Sequence, residues 1–221
     1  MSLMNKLNRK FSRFGISNLM IYITVTMLLV YVMQTFLKFP IGRYIALTRD
    51  ALFQGEVWRL ITFVFQPPAA ASPVFLILSL YFFYFVGTSL EDAWGTSRFT
   101  LYYLFGVAGA IIAALISGRA DNIYLNLSLF FAFAHLFPDH RILLFFIIPI
   151  KVKYLAYVDW IFFLVGFIFG DMVSRLAIVF SVLNYLLFFG PDIFSKIKDK
   201  LRYSKKRREF RKQMKHNRWN Q

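Results

Sequence analysis

The chain has 221 residues, of which 58% are hydrophobic, 20% are aromatic and only 17% are charged. This composition excludes an ordinary soluble domain and favours helices that cross a membrane between polar ends. The absence of cysteine excludes disulfide bonds and cysteine-based metal sites.

The first predicted element is a membrane-spanning helix at residues 16–37, which follows a basic N-terminal segment. A bilayer requires about 20 apolar residues in a spanning helix. A signal peptide has a similar charge order, but its apolar region is shorter and ends at a small-residue cleavage site. No such site is present, so we expect this helix to be retained.

The segment from Lys38 to Ser72 is too interrupted by polar residues to cross a membrane. It predicts an interfacial first loop that contains one or two short helices. Five further spans are predicted after it, at residues 73–90, 99–117, 122–137, 154–170 and 172–190. The apolar stretch between the fourth and fifth of the six spans is broken by Pro149, Lys151 and Lys153, and we expect it to lie along the membrane surface.

The fold class that these elements predict is an all-α membrane protein, built as a six-transmembrane-helix bundle. Residues 1–190 form its transmembrane domain and residues 191–221 form a basic cytoplasmic tail. Lysine and arginine favour the cytoplasmic side of a membrane. They are most frequent in the tail, at the N-terminus and in the loops on that same side, which predicts that both termini are cytoplasmic.

The tail contains a run of four consecutive basic residues, Lys205, Lys206, Arg207 and Arg208. We expect them to bind anionic lipid headgroups, since each such charge contributes about 1 kcal/mol near the membrane surface. Two alternatives remain open: the charges serve only as the topology signal, or they dock on the ribosome by pairing with RNA phosphates.

Three stretches carry recognisable motifs: GEVWRLITF at residues 55–63, LEDAWG followed by RF at residues 90–99, and FPD followed by FIIPIKVKYLA at residues 137–156. In order and spacing they resemble signatures of the rhomboid family of intramembrane serine proteases. The derlins, a rhomboid-like pseudoprotease family, share the Trp-Arg element of the first stretch. We assign a structural role to seven motif residues: Trp58, Arg59, Glu91, Trp94, Gly95, Pro138 and Asp139.

The resemblance implies a catalytic set that this sequence does not carry. An active rhomboid has a serine in a GxSG motif at the start of span four, a histidine on span six, and a histidine and an asparagine on span two. Counting back from Phe137, the GxSG positions fall on residues 121–124, which contain no serine. Span six has no histidine, and the oxyanion positions fall on Ser72 and Leu76.

A gapped comparison offers Ser128 as the only substitute nucleophile, without the two glycines of the motif. Serine needs an adjacent base. The three histidines of the chain are His135, His140 and His216. His135 is on the same predicted helix, about 10 Å further along the axis, so we expect no catalytic residue unless Ser128 finds an unforeseen partner.

Four polar residues fall within predicted spans: Asn122, Asn126, Ser128 and Asn184. One interpretation is that they form hydrogen bonds between helices and stabilise the bundle. The other is that they line a hydrophilic cavity that receives a transmembrane segment of a client protein, since polar groups inside a membrane are costly and often functional.

Charged residues near the span ends suggest ion pairs. We expect Asp159 to pair with Lys153 or with the tail, and Asp171 to pair with Arg175 one helical turn later. The sequence gives no support for a metal site or for a cofactor.

Three functions remain open. The first is a catalytically inactive, rhomboid-like protein of the lipid bilayer that binds transmembrane segments of client proteins, in membrane-protein quality control or trafficking. The second is an active intramembrane serine protease that uses Ser128. The third, ranked last because no inverted repeat is visible, is a transporter or insertase.

Overall fold

The structure is a computed structural model that describes residues 15–70, 72–144 and 148–219. The basic N-terminal cluster lies outside these residues. The chain divides into two compact units, one ending at Tyr185 and the other beginning at Leu186.

In chain order the elements are α1 (Leu19–Thr35), α2 (Ile41–Ile45), β1 (Leu47–Thr48), α3 (Arg49–Phe53), α4 (Arg59–Thr62), a 3-10 turn (Phe63–Phe65), α5 (Pro73–Trp94), α6 (Thr96–Ser117), β2 (Arg119–Ala120), α7 (Ile123–Leu136), β3 (Arg141–Leu144), β4 (Ile148–Lys151), α8 (Val152–Phe169) and α9 (Met172–Trp219).

Among the residues that the structure describes, four helical segments are long and apolar enough to cross a membrane: α5, α6, α8 and the Met172–Pro191 part of α9. They coincide with four of the six predicted spans. The other two predictions coincide with α1 and α7, which are apolar but shorter, at 17 and 14 residues.

The ends of α5 are set by residues with marked conformational preferences. Pro73 occupies its first turn, and the hydroxyl of Ser72 accepts a hydrogen bond from the Phe75 amide at 3.4 Å. Gly95, with φ of 81°, ends α5 and immediately precedes α6. A residue with a side chain would be strained in this backbone conformation.

The first loop contains more structure than the sequence predicted. It has three short helices, a 3-10 turn and strand β1, where one or two short helices were expected. Strand β1 pairs with β2, in the register Leu47↔Ala120 and Thr48↔Arg119. The local pattern could not reveal this ribbon, because its two strands are two residues long and far apart in sequence.

The connection between α7 and α8 contains a β-hairpin, which the sequence did not predict. Strands β3 and β4 are antiparallel, with Arg141 opposite Lys151 and Leu144 opposite Ile148. The all-α prediction is therefore corrected to a mostly helical protein with two small ribbons. Pro149 is compatible with a strand here because a two-stranded hairpin has free edges.

Helix α7 is the most enclosed helix of the first unit. Its buried side chains include Leu125, Leu129, Phe130, Phe131 and Phe133, and it packs against α5, α6 and α8. Helix α8 is the opposite case, since only Val152 and Phe163 are buried in it. Most of its other apolar side chains are exposed, as expected where lipid replaces water as the solvent.

The second unit is the continuation of α9 to Trp219. The last span was predicted to end at residue 190, and the apolar part of α9 does end at Pro191, but the helix itself continues through the proline. Proline removes one backbone donor and disturbs one turn. The lysine, arginine, leucine and glutamine residues that follow are good helix formers and sustain the helix beyond it.

Candidate functional site

Ser128, the substitute nucleophile, is fully enclosed in the middle of α7, with 0% of its surface exposed. Its hydroxyl donates a hydrogen bond to the carbonyl oxygen of Leu125 at 2.8 Å. The hydroxyl of Tyr102 on α6 donates to the backbone carbonyl of Ser128, also at 2.8 Å. The serine proton is therefore directed to a backbone carbonyl, which is not a base.

The two histidines whose side chains are described lie elsewhere. Nδ1 of His135, on the last turns of α7, is 2.9 Å from the hydroxyl of Tyr185. The ring of His140 packs against Phe85 and Phe133, with centroid separations of 5.7 and 6.0 Å. In the described part of the chain, neither histidine is hydrogen-bonded to Ser128.

The positions that the rhomboid resemblance assigns to catalysis hold groups without the required chemistry. Ile123, the counted serine position, is an exposed aliphatic residue at the start of α7. Ser72 serves as the N-cap of α5, and Leu76 is fully buried in that helix. Ile123 cannot act as the nucleophile and Leu76 cannot donate to an oxyanion, while Ser72 has a hydroxyl where the family has an imidazole and accepts a hydrogen bond from the Phe75 amide.

The Trp-Arg element organises the first loop. Arg59 is 7% exposed and donates from one guanidinium nitrogen to the carbonyls of Arg43 and Ala46, at 2.6 and 2.7 Å. The same side chain pairs with the Glu56 carboxylate. The indole of Trp58 is half exposed and donates to the Tyr44 carbonyl at 3.3 Å. These bonds join α2 to α4.

The second motif fixes the start of α1. The buried carboxylate of Glu91 accepts a hydrogen bond from the backbone amide of Asn18, at 3.0 Å, at the N-terminus of α1. A carboxylate is well placed there because the N-terminal end of a helix carries partial positive charge. Trp94 packs on Tyr102, with ring centroids 5.4 Å apart, and Gly95 provides the turn.

The third motif closes the β-hairpin. The Asp139 carboxylate accepts hydrogen bonds from the ammonium groups of Lys153 at 2.9 Å and Lys151 at 3.2 Å. These two lysines hold the pKa of Asp139 below its usual value. The Lys153 amide also donates to the Pro138 carbonyl at 3.1 Å. Lys153 therefore pairs with Asp139 and not, as the first alternative predicted, with Asp159.

The predicted pair between Asp171 and Arg175 is wrong. Asp171 lies 3.5 Å from the guanidinium of Arg119, while Arg175 donates to the carbonyl of Ile168 at 3.0 Å. The Asp171 carboxylate also accepts from the Ser174 amide at 3.0 Å. It thus caps the start of α9 and is turned away from Arg175. Hydrogen bonds from Ser174 are the main reason that the pKa of Asp171 is lowered.

Two of the three intramembrane asparagines form bonds between elements. Asn122 is buried just before α7 and donates to the carbonyls of Val64 and Gln66, at 2.9 and 2.8 Å. Asn184 on α9 donates to the Tyr102 carbonyl at 3.3 Å. In these two contacts the side chains join the first loop to α7, and α9 to α6.

The third asparagine, Asn126, lies in the wall of a cavity of about 550 Å³. Its side chain is 4% exposed, and its carbonyl oxygen has no hydrogen-bond partner among the described residues. The wall is formed by α5, α7, α8 and the start of β3, and it is mainly aromatic and aliphatic. Its polar members are Ser79, Asn126, His140, Arg141 and Asp159.

Sequence analysis missed that Asp159, Ser79, His140 and Arg141 line the same cavity as Asn126. One signal was available: Asp159 is the only acidic residue of α8. Ser181 was also missed as a link between helices, and its hydroxyl donates to the Tyr124 carbonyl at 2.7 Å. Nothing in the sequence distinguishes this serine from its neighbours.

The apolar helices and their buried polar contacts define a helical integral membrane protein. Residues 54–189, which are more than half of the chain, match the family model of the Rhomboid domain. The chain therefore belongs to the rhomboid family. A comparison with curated proteins gave no match.

Proposed function

We propose that this protein is a catalytically inactive, derlin-like rhomboid pseudoprotease. It binds transmembrane segments of client membrane proteins, in quality control or trafficking. Six helices cross the membrane as a bundle, with the first loop at the interface and both termini in the cytoplasm.

The observation that carries the proposal is the hydrogen bond from Ser128 to Leu125. A serine hydroxyl attacks a carbonyl only when a base accepts its proton. In the described ranges the hydroxyl is bonded to its own helix, and the histidine of that helix is directed to Tyr185. The residue is also fully enclosed, so a scissile peptide bond has no access to it.

The bundle of six spans is supported by the positions of the two short apolar helices. Helix α1 has 17 residues and is about 26 Å long, close to the thickness of a hydrocarbon core. Helix α7 is shorter, but most of its surface is covered by other helices rather than by lipid. The distribution of basic residues supports cytoplasmic termini.

Client binding is supported by the cavity between α5 and α8. Helix α8 buries few of its side chains, and large apolar residues such as Phe162 and Leu164 are exposed along it. The cavity of about 550 Å³ beside this helix has room for several side chains of an incoming apolar segment. The unpartnered carbonyl oxygen of Asn126 gives this groove a polar contact for an incoming segment.

The test uses the full chain reconstituted in lipid vesicles with a single-span client protein. A photo-crosslinking amino acid replaces Leu155, which lines the cavity, and a matched control carries it at Leu29, which is exposed on α1. We expect crosslinks to an uncleaved client from Leu155 and few from Leu29. Equal crosslinking from both positions, or none from Leu155, would contradict client binding.

The basic tail is proposed to bind anionic headgroups through Lys205, Lys206, Arg207 and Arg208. The chain has no cysteine, so a single cysteine at Ser204 can carry an environment-sensitive dye. We expect its fluorescence to respond to added anionic lipid, and the response to disappear when the four residues are changed to glutamine. A response that survives neutralisation would contradict this role.

A further inference from the structure

The cavity contains a carboxylate that lies inside a membrane-spanning helix. Asp159 is seven residues after Val152, about 10 Å along α8 from its start. Among residues 15–70, 72–144 and 148–219, no ion pair or hydrogen bond to this carboxylate is observed. The nearest lysine along the helix, Lys153, is engaged by Asp139.

A second acceptor without a partner lies in the same cavity wall. The carbonyl oxygen of Asn126 is unpartnered on the facing helix α7. The hydroxyl of Ser79 on α5 donates to the Phe75 carbonyl at 2.8 Å, so it offers only lone pairs to an occupant. The cationic candidates, His140 and Arg141, belong to the hairpin, and Arg141 is exposed.

Asp159 and the Asn126 carbonyl oxygen are thus two acceptors of this cavity that have no partner among the described residues. Carboxylates within membrane-spanning segments are expensive, and they commonly pair with a cation or mark a functional pathway. Asp159 has rings around it, since Phe82, Phe130 and Tyr81 line the same cavity. Apolar walls lower the local polarity, which strengthens an ion pair formed beside them.

We propose that the client segments recognised in this groove carry a lysine or arginine in the half of the membrane nearer the start of α8. The basic side chain forms an ion pair with Asp159. This inference rests on the proposed function, and it adds the chemical class of the client. A transmembrane segment fits this description when its basic residue is not paired with a subunit of its own complex.

A lipid does not satisfy the same groups. An acyl chain fills an apolar cavity but leaves both acceptors unpaired. The cationic group of a phospholipid lies in the headgroup layer, whereas Asp159 is about two helical turns from the start of α8. A neutral polar client residue could bond to Asn126 or donate to the carboxylate, but only a cation neutralises the charge of Asp159.

The experiment measures crosslinking of the reconstituted full chain, through Leu155, to two matched single-span clients. They differ at one inner-half position, which is leucine in one client and lysine in the other. We expect the lysine client to be captured about tenfold more, the ratio that about 1.4 kcal/mol of binding energy gives. Asp159→Asn should abolish the preference, and Asp159→Glu should retain it.

Two further variants make the result specific. Asp92→Asn removes an exposed carboxylate outside the cavity and should leave the preference unchanged. Asp159→Lys should reverse the preference towards a client with aspartate at the same position. This reversal separates a direct ion pair from a loss of folding, which would lower capture of both clients.

The remaining outcomes overturn the inference in distinguishable ways. Equal capture of both clients by the unaltered protein would overturn it and leave client binding intact. Capture of neither client would overturn both the inference and the proposed function. A preference for lysine that survives Asp159→Asn would assign recognition to another group.

Discussion

The Ser128 hydroxyl and the Leu125 carbonyl oxygen are 2.8 Å apart on the same helix. This bond is local and uses the only proton that the hydroxyl has. Because the neighbouring hydrogen bond from Tyr102 goes to the backbone of Ser128, it does not depend on the serine side chain. The side chain therefore serves the helix rather than a reaction.

Replacement of Ser128 by alanine should leave the protein folded and change no activity. We expect a loss of about 1 kcal/mol or less in the free energy of unfolding, because one hydrogen bond is removed and its acceptor is a helix carbonyl. The check is thermal unfolding in detergent together with labelling by a fluorophosphonate probe. Labelling of the unaltered protein that is lost in Ser128→Ala would contradict the assignment.

Arg59 should be among the most sensitive residues of the first loop. Arg59→Ala leaves Glu56 and two carbonyls without their donor, and we expect a loss of about 3–5 kcal/mol, as for other broken buried pairs. Arg59→Lys should rescue little, since an ammonium lacks the planar fork of a guanidinium. Arg49→Ala, at an exposed position in the same loop, is the matched control. Equal stability of the Arg59 and Arg49 variants would contradict this account.

Asn122 should hold the first loop against α7. Asn122→Asp replaces the donating amide with an acceptor that faces the carbonyls of Val64 and Gln66. Each carbonyl left unsatisfied costs about 1–3 kcal/mol, so we expect faster proteolysis of the first loop. Asn18→Asp is the control, because the structure uses only the backbone amide of Asn18 there. Unchanged cleavage in Asn122→Asp would show that the two bonds are dispensable.

Asp139 should make the hairpin sensitive to acid. Its pKa is lowered in the folded protein by Lys153 and Lys151. The stabilisation is therefore present above the usual aspartate pKa of about 4 and is lost as the pH falls through the lower folded value. As the pH is lowered from 5 to 3, the midpoint temperature of thermal unfolding should decrease in both proteins. The decrease should be larger in the unaltered protein than in Asp139→Asn. Identical pH profiles would remove Asp139 from this role.

The proposed topology can be tested with single cysteines, since the natural chain has none. In intact cells, a membrane-impermeant maleimide should label Gln54→Cys in the first loop and should not label Lys198→Cys in α9. After permeabilisation both should react, because both positions are exposed. Labelling of Lys198→Cys in intact cells would place the tail outside and contradict the orientation.

Much of the fold followed from the length of apolar runs. The predicted spans at residues 73–90 and 99–117 coincide with α5 and α6, because hydropathy reports directly on the requirement for a spanning helix. The two ribbons were not predictable in this way. Pairing of Leu47 with Ala120 depends on where α1 and α6 bring their ends, which no local pattern encodes.

The candidate site was predicted only in part, for a similar reason. Asn126 and Asn184 were both identified as polar residues within spans, yet one lies in a cavity wall and the other bonds to Tyr102. The spacing of residues along a helix shows which side chains share a helix face. It does not show which other helix packs against that face. Asp159 was expected to pair with Lys153 or with the tail, and the hairpin that brings Lys153 to Asp139 was itself not predicted.

The central claim is that this rhomboid-family protein holds a transmembrane client without cutting it. The most direct measurement is the mass of a single-span client recovered from vesicles after crosslinking to the full chain. The account predicts an intact client attached to the cavity, with the same mass for the unaltered protein and for Ser128→Ala. Client fragments that appear with the unaltered protein and vanish in Ser128→Ala would contradict it.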